Sequence, residues 1–325
     1  MTTRRILITG GAGFIGYYLA AELVQDPVNE IVLVDNLSRG RIDDEFERLR
    51  ERPNVRFING DLTKPETFET IGKGFHEVYH LAAIIGVEHV LKRPHEVLRV
   101  NALSTLLLLD WFTKGGGDKI LFSSTSEAYA WTQQFYTLPV PTPEEVPLAL
   151  TELANPRSSY AGSKIYGELA VTQFCAQYQK PFVIVRFHNV YGPRMGNEHV
   201  IPQLFDRARK GQSPLVVYSP SHRRAFCYVS DAISAVIAGM RSQNADGKTF
   251  NIGNNTEEVS IEELATRILK HLNIHGTIER KDAPNDPIVR RSPDTKKATT
   301  LLGYQPLVSL DRGLELTLAW YGNEK

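Results

Sequence analysis

The fold is decided by the stretch Thr9-Gly10-Gly11-Ala12-Gly13-Phe14-Ile15-Gly16, which follows an apolar run at 5–9 and opens a helical pattern. Glycines in this spacing allow a tight turn and a close approach of the backbone to a pyrophosphate. The first turn of the following helix adds unpaired N–H groups and the positive end of its dipole. The stretch therefore predicts a strand, a glycine loop and a helix that together bind a dinucleotide.

Acidic residues at the ends of the next two predicted strands indicate which dinucleotide is bound. Asp35 follows the loop by about 20 residues, where a carboxylate binds the adenosine ribose and repels a 2′-phosphate. We therefore predict NAD rather than NADP, and Arg39 close by either softens this preference or is an ordinary solvated loop arginine. Asp61, after the third strand, either meets the adenine edge or forms a Gly-Asp turn.

Short β-branched runs alternate with amphipathic stretches beyond the loop. Strands are predicted at 5–9, 30–35, 55–59, 77–81, 119–123 and 182–187. This alternation is typical of an α/β fold, a Rossmann doubly wound parallel sheet, here with a smaller C-terminal α/β substrate-binding lobe. We expect an NAD-binding domain at 1–185, rejoined by about 224–250, and a substrate lobe mainly at 186–325.

Composition and charge narrow the classes of function. The 37 acidic and 37 basic residues cancel at pH 7, so no overall field favours nucleic-acid or membrane partners. Cys175 and Cys227 lie in apolar stretches, which favours buried free thiols and a reducing compartment. With no signal peptide and no apolar run of 18 residues, we expect a soluble cytoplasmic protein. No Cys/His cluster has metal-ligand spacing, so no metal is predicted.

A helix predicted at about 158–179 carries Tyr160 and Lys164 on one face, because they are four residues apart. Positive charge near a phenol favours its phenolate. Lys164, together with the nicotinamide ring of NAD⁺, would let Tyr160 accept a proton near neutral pH. Such a pair is common on helices, and it gains its weight from the glycine loop and Asp35 in the same chain.

Over nearly its whole length the sequence resembles the extended short-chain dehydrogenase/reductases, specifically their NAD-dependent nucleotide-sugar epimerases, dehydratases and decarboxylases. The resemblance rests on the glycine loop, the Tyr160/Lys164 pair and shorter motifs, namely Val34-Asp35-Asn36-Leu37, Gly60-Asp61-Leu62, His80-Leu81-Ala82-Ala83, Asn101, 123–129, 186–193, 222–229, Asp231, Asn251-Ile252-Gly253 and Arg291-Ser292-Pro293-Asp294. One departure is Tyr17-Tyr18 after Gly16, where relatives often carry a small Ser followed by His.

The resemblance implies a role for each motif. The implied cofactor-binding residues are Gly10, Gly13, Phe14, Ile15, Gly16, Asp35, Asn36, Asp61, Leu62, Leu81, Ala82, Ala83, Asn101, Tyr160 and Lys164. Thr125 takes the position that hydrogen-bonds the sugar oxygen which Tyr160 deprotonates, and Ser126 is expected to bind substrate. Asn189 is expected to contact the substrate diphosphate, and Arg224 to neutralise a phosphate.

Members of this branch are understood to oxidise the sugar, usually at C4, with bound NAD⁺ accepting the hydride. Glu127 bears on the next step, because Thr-x-Glu is similar to dehydratases and UDP-glucuronate decarboxylases, whereas simple C4 epimerases tend to lack this acid. The alternative is a strand-end glutamate paired with a loop cation. Ser126 stands where dTDP-glucose dehydratases carry an aspartic acid, and Arg291 matches a decarboxylase arginine that meets the sugar acid or the diphosphate.

We therefore predict NAD-dependent conversion of a nucleotide-diphosphate sugar through a transient 4-keto intermediate, with decarboxylation of UDP-glucuronate or a related uronate ranked first. A C4 epimerase or a 4,6-dehydratase is the alternative, and 186–189 is similar to GDP-mannose 3,5-epimerase. Outside this class stands a catalytically silent Rossmann protein that senses NAD. The joint presence of Thr125, Tyr160 and Lys164 argues against it.

The resemblance also implies a homodimer. Family members pair through four helices, here the helix after Asn101 and the helix that carries Tyr160. The apolar run 106–109 on the first of these is compatible with such an interface, but ordinary core packing explains it equally well.

Overall fold

The computed structural model describes residues 3–282 and 289–323. The strands are, in chain order, β1 (Arg4–Thr9), β2 (Asn29–Asp35), β3 (Val55–Asn59), β4 (Phe75–His80), β5 (Gly117–Thr125), β6 (Phe182–Phe187), β7 (Val190–Tyr191), β8 (Leu215–Tyr218), β9 (Arg223–Ala225), β10 (Cys227–Tyr228), β11 (Lys248–Ile252), β12 (Glu258–Ser260), β13 (Ile278–Lys281) and β14 (Arg290–Arg291). The helices are α1 (Phe14–Leu23), α2 (Asp44–Arg50), α3 (Pro65–Ile71), α4 (Val87–Lys92), α5 (Pro94–Trp111), α6 (Thr132–Phe135), α7 (Arg157–Gln177), α8 (Val200–Arg209), α9 (Val229–Arg241), α10 (Ile261–His271), α11 (Lys296–Leu302) and α12 (Leu310–Asn323).

Seven strands form one sheet in the order β11-β6-β5-β4-β1-β2-β3. The pairs β1–β2, β1–β4, β2–β3 and β4–β5 are all parallel. The chain begins in the middle of the sheet and winds to both sides. Because these strands are parallel, the carboxyl ends of β1, β2, β4 and β5 lie at the same edge of the sheet. The predicted Rossmann doubly wound sheet is confirmed.

The core of this sheet explains why its strands are so apolar. Ile6, Leu7 and Ile8 of β1 are fully buried, because helices cover a parallel sheet on both faces. Helix α7 approaches β5 so closely that a Cβ added to Gly167 would collide with the ring of Phe122. This glycine therefore brings the helix of Tyr160 down onto the strand that ends at Thr125.

The chain divides into two compact units. The first unit contains Met1–Ala128, Leu150–Arg186 and Ile233–Phe250, and the second contains Tyr129–Ala149, Phe187–Ala232 and Asn251–Lys325. Our expected NAD-binding domain ran without a break over 1–185 and was rejoined by 224–250, so it differs from the first unit at 129–149 and at 224–232. Residues 1–2, 283–288 and 324–325 of the expected domains lie outside the described residues.

Hydrogen bonds explain why 129–149 groups with the second unit. Thr142 N donates to the carbonyl oxygen of Ser292 at 2.9 Å, and Asp294 N donates back to the carbonyl oxygen of Thr142 at 2.8 Å. Glu144 accepts a hydrogen bond from Asn251 N at 2.7 Å. Such long-range partners do not show in a local sequence pattern.

The second unit contains small strand pairings and helices. Strand β9 pairs in parallel with β14 and antiparallel with β12, and β8 pairs in parallel with β13. Helix α10 begins with a capping box, in which the side chains of Ser260 and Glu263 each bond the backbone N–H of the other. Of the helices in the described parts of the chain, none is both long and apolar enough to cross a membrane.

Candidate active site

The glycine loop between β1 and α1 has no room for a side chain at Gly10 or at Gly16. Gly10 has a φ of +72°, and a Cβ added there would lie 2.9 Å from Ala82 N. A Cβ added to Gly16 would collide with the carbonyl oxygen of Gly10. Gly13 precedes Phe14 as the N-cap, so the N–H groups of the first helical turn remain available to an anion. The loop therefore leaves space and backbone donors for a diphosphate, and the contact of its residues with the dinucleotide stays a prediction.

The tyrosines that depart from the family pattern do not disturb the start of α1. Tyr17 N donates to the carbonyl oxygen of Gly13 at 3.0 Å, as a regular helix requires. The rings of Tyr17 and Tyr18 stack edge to face at 5.3 Å, and Tyr18 packs on Phe14 in the same way at 5.7 Å. The bulky rings are thus accommodated by packing on one another.

Asp35 lies at the end of β2, beside the glycine loop. Its carboxylate accepts hydrogen bonds from Ala12 N at 3.1 Å and from Leu37 N at 2.8 Å. Burial raises the pKa of Asp35, while the backbone N–H donors of Leu37, Ala12 and Gly13 lower it. These bonds hold the carboxyl group at the rim of the loop, and Asn36 follows as an exposed residue.

Asp61 is placed after β3, where its side chain forms a turn. One carboxylate oxygen accepts hydrogen bonds from the backbone N–H of Thr63 at 2.9 Å and from its hydroxyl at 2.8 Å. This geometry is the turn that the sequence left open as an alternative. The contact of Asp61 with adenine stays a prediction, and the neighbouring Leu62 is buried.

The segment after β4 lies against the glycine loop. Leu81 N and Ala82 N donate to the carbonyl and hydroxyl oxygens of Thr9, at 3.2 and 3.3 Å. Asn101 of α5 holds Ile84 of this segment by two hydrogen bonds. Its side-chain oxygen accepts from Ile84 N at 2.7 Å, and its side-chain nitrogen donates to the Ile84 carbonyl oxygen at 3.0 Å. Its amide also donates to the hydroxyl of Ser163 on α7 at 3.1 Å. Leu81, Ala82, Ala83 and Asn101 are thus gathered beside the predicted cofactor loop.

Thr125, Tyr160 and Lys164 come together where β5 ends. The side chains of Thr125 and Tyr160 are hydrogen-bonded to each other. Lys164 Nζ donates to the carbonyl oxygen of Ser123 at 2.7 Å and lies 4.9 Å from the centroid of the Phe122 ring. Ser126, which was predicted to bind substrate, is buried in the turn that follows.

Burial is the largest influence on the pKa of Tyr160 and of Lys164. It raises the pKa of Tyr160 to about 12, against the hydrogen bond from Thr125, which lowers it. Burial also lowers the pKa of Lys164 to about 7, and the charge of Glu168 opposes that shift. The phenol therefore keeps its proton at neutral pH unless further positive charge arrives.

Arg39 is a charged neighbour of Tyr160 that sequence reasoning placed elsewhere. Its charge lowers the pKa of Tyr160, an effect that the sequence argument assigned to Lys164. Lys164 instead directs its ammonium group to the carbonyl oxygen of Ser123, at 2.7 Å. The sequence shows that Arg39 lies four residues after Asp35 and hence near the cofactor loop. This spacing does not show how the loop folds, so the proximity of Arg39 to Tyr160 could not be predicted.

Glu127 has two kinds of neighbour. Its carboxylate lies 3.6 Å from the guanidinium of Arg157, which matches the alternative of a strand-end glutamate beside a cation. Its charge also raises the pKa of Tyr160, and its backbone N–H donates to the Thr125 hydroxyl at 3.2 Å. Glu127 therefore belongs to the same cluster as Thr125 and Tyr160.

The remaining predicted residues lie in the second unit, near one another. Arg224 on β9 and Arg291 on β14 are register partners across a parallel strand pair. The Arg224 guanidinium donates to the carbonyl oxygens of Arg223 and Val289, at 2.9 and 3.2 Å. Asn189 Nδ2 donates to the carbonyl oxygen of Ala225 at 2.9 Å, directly beside Arg224. Two guanidinium groups and an amide are thus gathered, a donor set suited to a diphosphate or a carboxylate.

A cavity of about 880 Å³ lies in the second unit along α8 and β8. It is lined by Asn197, Pro202, Gln203, Phe205, Asp206, Arg207, Arg209, Lys210, Gln212, Val216, Tyr218 and Tyr321. Aromatic rings, amides and cations together suit a polar, anionic organic ligand. This cavity has no signature in the sequence, because the segments that line it contain no recognisable motif.

Comparison with known proteins places this arrangement among sugar-nucleotide enzymes. Residues 6–253 match the model of the NAD dependent epimerase/dehydratase family. The chain is 34% identical over 328 residues to UDP-N-acetyl-alpha-D-glucosaminuronate decarboxylase of Bacillus cytotoxicus, with 98% of each chain covered. It is 32% identical over 323 residues to UDP-glucuronic acid decarboxylase 1 of Xenopus tropicalis, which covers 99% of this chain and 73% of that protein.

A solved structure of similar fold contains both an acidic sugar nucleotide and the dinucleotide. It is a mutant UDP-glucuronic acid 4-epimerase of Bacillus cereus in complex with UDP-4-deoxy-4-fluoro-glucuronic acid and NAD. The two structures have a TM-score of 0.82 at 26% identity, over 98% of this chain and 99% of the other. Relatives also include 4,6-dehydratases of dTDP-glucose and 4-epimerases of UDP-glucose.

Proposed function

This chain belongs to the NAD dependent epimerase/dehydratase family, and on that premise we propose that it decarboxylates a UDP-linked uronic acid through a transient 4-keto sugar. Membership of the family confirms the predicted NAD cofactor and the predicted class of enzyme. The reaction and the sugar are the parts that we propose. They rest on the arrangement of Glu127, Tyr160 and the paired arginines.

The residues of the first unit suit NAD. The glycine loop would hold its pyrophosphate, Asp35 its adenosine ribose, and the segment at Leu81–Ala83 would line the site with Asn101. When bound, NAD⁺ supplies a hydride acceptor and a positively charged ring. Lys164 would bind the nicotinamide ribose through its ammonium group.

Tyr160 is proposed as the base that takes the proton of the sugar hydroxyl. Its pKa is about 12 even with the charge of Arg39 nearby, which is too high for this role at neutral pH, so the positive ring of the bound cofactor would have to favour the phenolate. The hydrogen bond from Thr125 stabilises the same charged form. Thr125 also carries a hydroxyl beside the phenol that can orient the sugar oxygen.

The position of Glu127 is the observation that carries the proposal. An acid beside Thr125 and Tyr160 is in reach of the sugar that these residues orient, and simple C4 epimerases resemble one another in lacking it. Once C4 is a ketone, a carboxylate at C6 belongs to a β-keto acid, which loses CO₂ readily. Glu127 would then guide the protonation at C5. The remaining ketone at C4 would be reduced by the hydride that the cofactor had accepted, with Tyr160 giving its proton back to the C4 oxygen, so that the net change is the loss of CO₂.

The paired arginines of the second unit are proposed to bind the anionic groups of the substrate. Arg224 and Arg291, with Asn189 beside them, offer planar donors that match a diphosphate or a sugar carboxylate. We propose that the cavity along α8 and β8 takes the nucleoside, because it offers the Tyr218 ring together with amide side chains.

Epimerisation at C4 is the second candidate, and the structure from Bacillus cereus favours it. That protein is a 4-epimerase in complex with a UDP-glucuronic acid analogue, so a uronic acid substrate does not by itself imply loss of CO₂. In an epimerase the keto-sugar takes the hydride back on its other face. The two candidates share Tyr160, Lys164 and Thr125, and they differ in the need for Glu127.

Product masses test the proposal. The purified protein is incubated with UDP-glucuronate, its N-acetylglucosaminuronate analogue, UDP-glucose, dTDP-glucose and GDP-mannose, and the products are identified by mass spectrometry and, for their configuration, by nuclear magnetic resonance. We expect a product lighter by one CO₂ from a uronate. Loss of water would identify a dehydratase instead, and unchanged mass with an altered configuration would identify an epimerase. No product from any substrate would favour the silent NAD-sensing alternative.

A homodimer and a cytoplasmic location complete the proposal. Apolar side chains remain exposed on α5 and α7, namely 47% of Leu98 and 57% of Leu169, whereas Leu108 and Leu109 are fully buried in the core. The proposed interface therefore uses the outer faces of α5 and α7, and it predicts that Leu169→Glu yields monomers in sedimentation. Both cysteines are free and buried, which suits a reducing compartment.

A further inference from the structure

Three consecutive residues of β5 bond to three successive turns of α7. The side chain of Thr125 bonds to Tyr160, and the carbonyl oxygen of Ser123 accepts from Lys164. The hydroxyl of Ser124 donates to the carboxylate of Glu168. Since Tyr160, Lys164 and Glu168 are spaced by four residues, they share one face of the helix. The third of these bonds uses a residue that the proposed reaction does not need.

Glu168 is joined to Arg186 of β6 by a two-pronged ion pair. Arg186 Nε donates to one carboxylate oxygen at 2.8 Å and Arg186 Nη2 donates to the other at 2.6 Å. Glu168 is 7% exposed and Arg186 is 5% exposed. Buried charges of this kind stay in place only when they are paired and hydrogen-bonded, so the pair and Ser124 lock α7 to both β5 and β6.

The charge of Glu168 acts on Lys164. Burial lowers the pKa of Lys164, and Glu168 is the group that raises it. Four further groups near Lys164 are neutral at pH 7: the Ser123 carbonyl, the Phe122 ring, Tyr160 with its raised pKa, and His80 of β4, whose pKa is lowered to about 3. Arg186 forms an ion pair with Glu168 at 2.6 Å and offsets part of its negative charge.

We propose that Glu168 and Arg186 are positioning residues, which hold α7 in register with the end of β5 and together set the charge that Lys164 carries. This inference rests on the proposed role of Lys164 at the cofactor. A purely structural ion pair would make the same bonds, but its loss would not change the titration of Lys164 in a charge-dependent direction.

The test is the titration midpoint of Lys164, followed by nuclear magnetic resonance of carbon-13 at lysine Cε. The signal is assigned by its absence in Lys164→Met. In Glu168→Gln the midpoint falls by roughly half a pH unit or more, because a negative charge is lost and Arg186 is left uncompensated. In Arg186→Gln it rises by a similar amount, because Glu168 then acts undiminished. The neutral double variant returns close to the wild-type midpoint.

Two further variants control for damage to the fold. Glu77 is an equally buried acid on β4, bonded to the Tyr79 hydroxyl at 2.7 Å and near Arg4 and Arg241. Glu77→Gln should leave the Lys164 midpoint unchanged. Arg186→Lys keeps the positive charge and should also keep the Lys164 midpoint. If Glu168→Gln does not fold, the proposal is tested by comparing the Lys164 midpoints of Arg186→Lys and Arg186→Gln.

Shifts of opposite sign in the two single variants support the proposal. Shifts of the same sign, or no shift in either, would overturn it and leave a purely structural pair. The titration uses the protein without substrate. An absence of turnover with every nucleotide sugar would therefore refute the proposed function without changing this result.

Discussion

The two compact units hold their candidate site residues in different ways. In the first unit, direct hydrogen bonds hold Thr125, Tyr160 and Lys164 together at the end of β5, and burial shifts the pKa of Tyr160 and of Lys164. In the second, Arg224 and Arg291 are brought together by the pairing of β9 with β14, and both are partly exposed. Burial shifts the pKa of groups that transfer protons, whereas partly exposed guanidinium groups can bind the anionic groups of a substrate. Substitutions in the first unit should therefore change kcat, and those in the second should change KM.

The largest effect is expected for Tyr160→Phe. Removing the phenol removes the proposed base, so turnover should fall by roughly 1,000-fold, which corresponds to about 4 kcal/mol of activation free energy. The NAD content of the purified protein should stay the same, as measured by chromatography after denaturation. The matched control is Tyr166→Phe, on an exposed turn of α7, which should be fully active. Normal turnover in Tyr160→Phe would remove the catalytic assignment.

Glu127→Gln should lower the rate of CO₂ loss by about 100-fold, if Glu127 guides the proton at C5. Any C4 epimerisation should be spared, and the ratio of the two products measures the split. Arg157→Gln removes the cation 3.6 Å away and keeps the carboxylate, so it should be close to wild type. Equal losses in both variants would mean that the ion pair, rather than the acid, is what matters.

Arg224→Ala and Arg291→Ala should each raise KM by about 10-fold to 100-fold, the loss of one charged hydrogen-bonding partner, with kcat within a few-fold of wild type. Steady-state kinetics with the identified substrate checks this. The control is Arg290→Ala, which should leave KM unchanged, because Arg290 precedes Arg291 on β14 and its guanidinium is bonded to Glu258. A fall in kcat at constant KM would break the contrast between the two units.

The smallest effect concerns stability and pH. The pKa of Lys164 lies at about 7 in the folded protein against 10.5 in an open chain, so the unfolded state binds the extra proton between these values. Stability should therefore rise with pH through this window, by at most about 1.4 kcal/mol per pH unit, and the penalty is complete below pH 7. Urea unfolding of the protein at pH 6.5 and 8.5 should show that Lys164→Met loses this contribution. Parallel pH dependences in the two proteins would contradict it.

The strands were predicted well where both faces are buried, and less well at their ends. The predicted strand at 182–187 agrees with β6, while β5 extends the prediction at 119–123 by two residues on each side. Its first residues are Gly117 and Asp118, which carry no apolar signal. Helix α7, predicted at about 158–179, runs over Arg157–Gln177.

The sequence did not reveal which charged residues lie close enough to Tyr160 and Lys164 to shift their pKa. Arg39 belongs to a loop whose path no pattern records, so its effect on Tyr160 was not foreseen. Arg186 did leave a signal, because a charged residue inside the apolar strand at 182–187 requires a partner. The identity of that partner, Glu168 on α7, depends on how helix and strand pack.

The amino-acid sequence was enough to predict the fold class and the NAD cofactor, and it proposed the residues of the proton-transfer site. Those properties depend on residues close together in the chain, such as the glycine loop and the spacing of Tyr160 and Lys164, and local geometry follows from local sequence. The pairing of Arg224 with Arg291, the effect of Arg39 on the phenol and the ion pair of Glu168 with Arg186 became visible only in the folded chain. These relations join distant segments, and charges interact according to distance and burial rather than position in the chain.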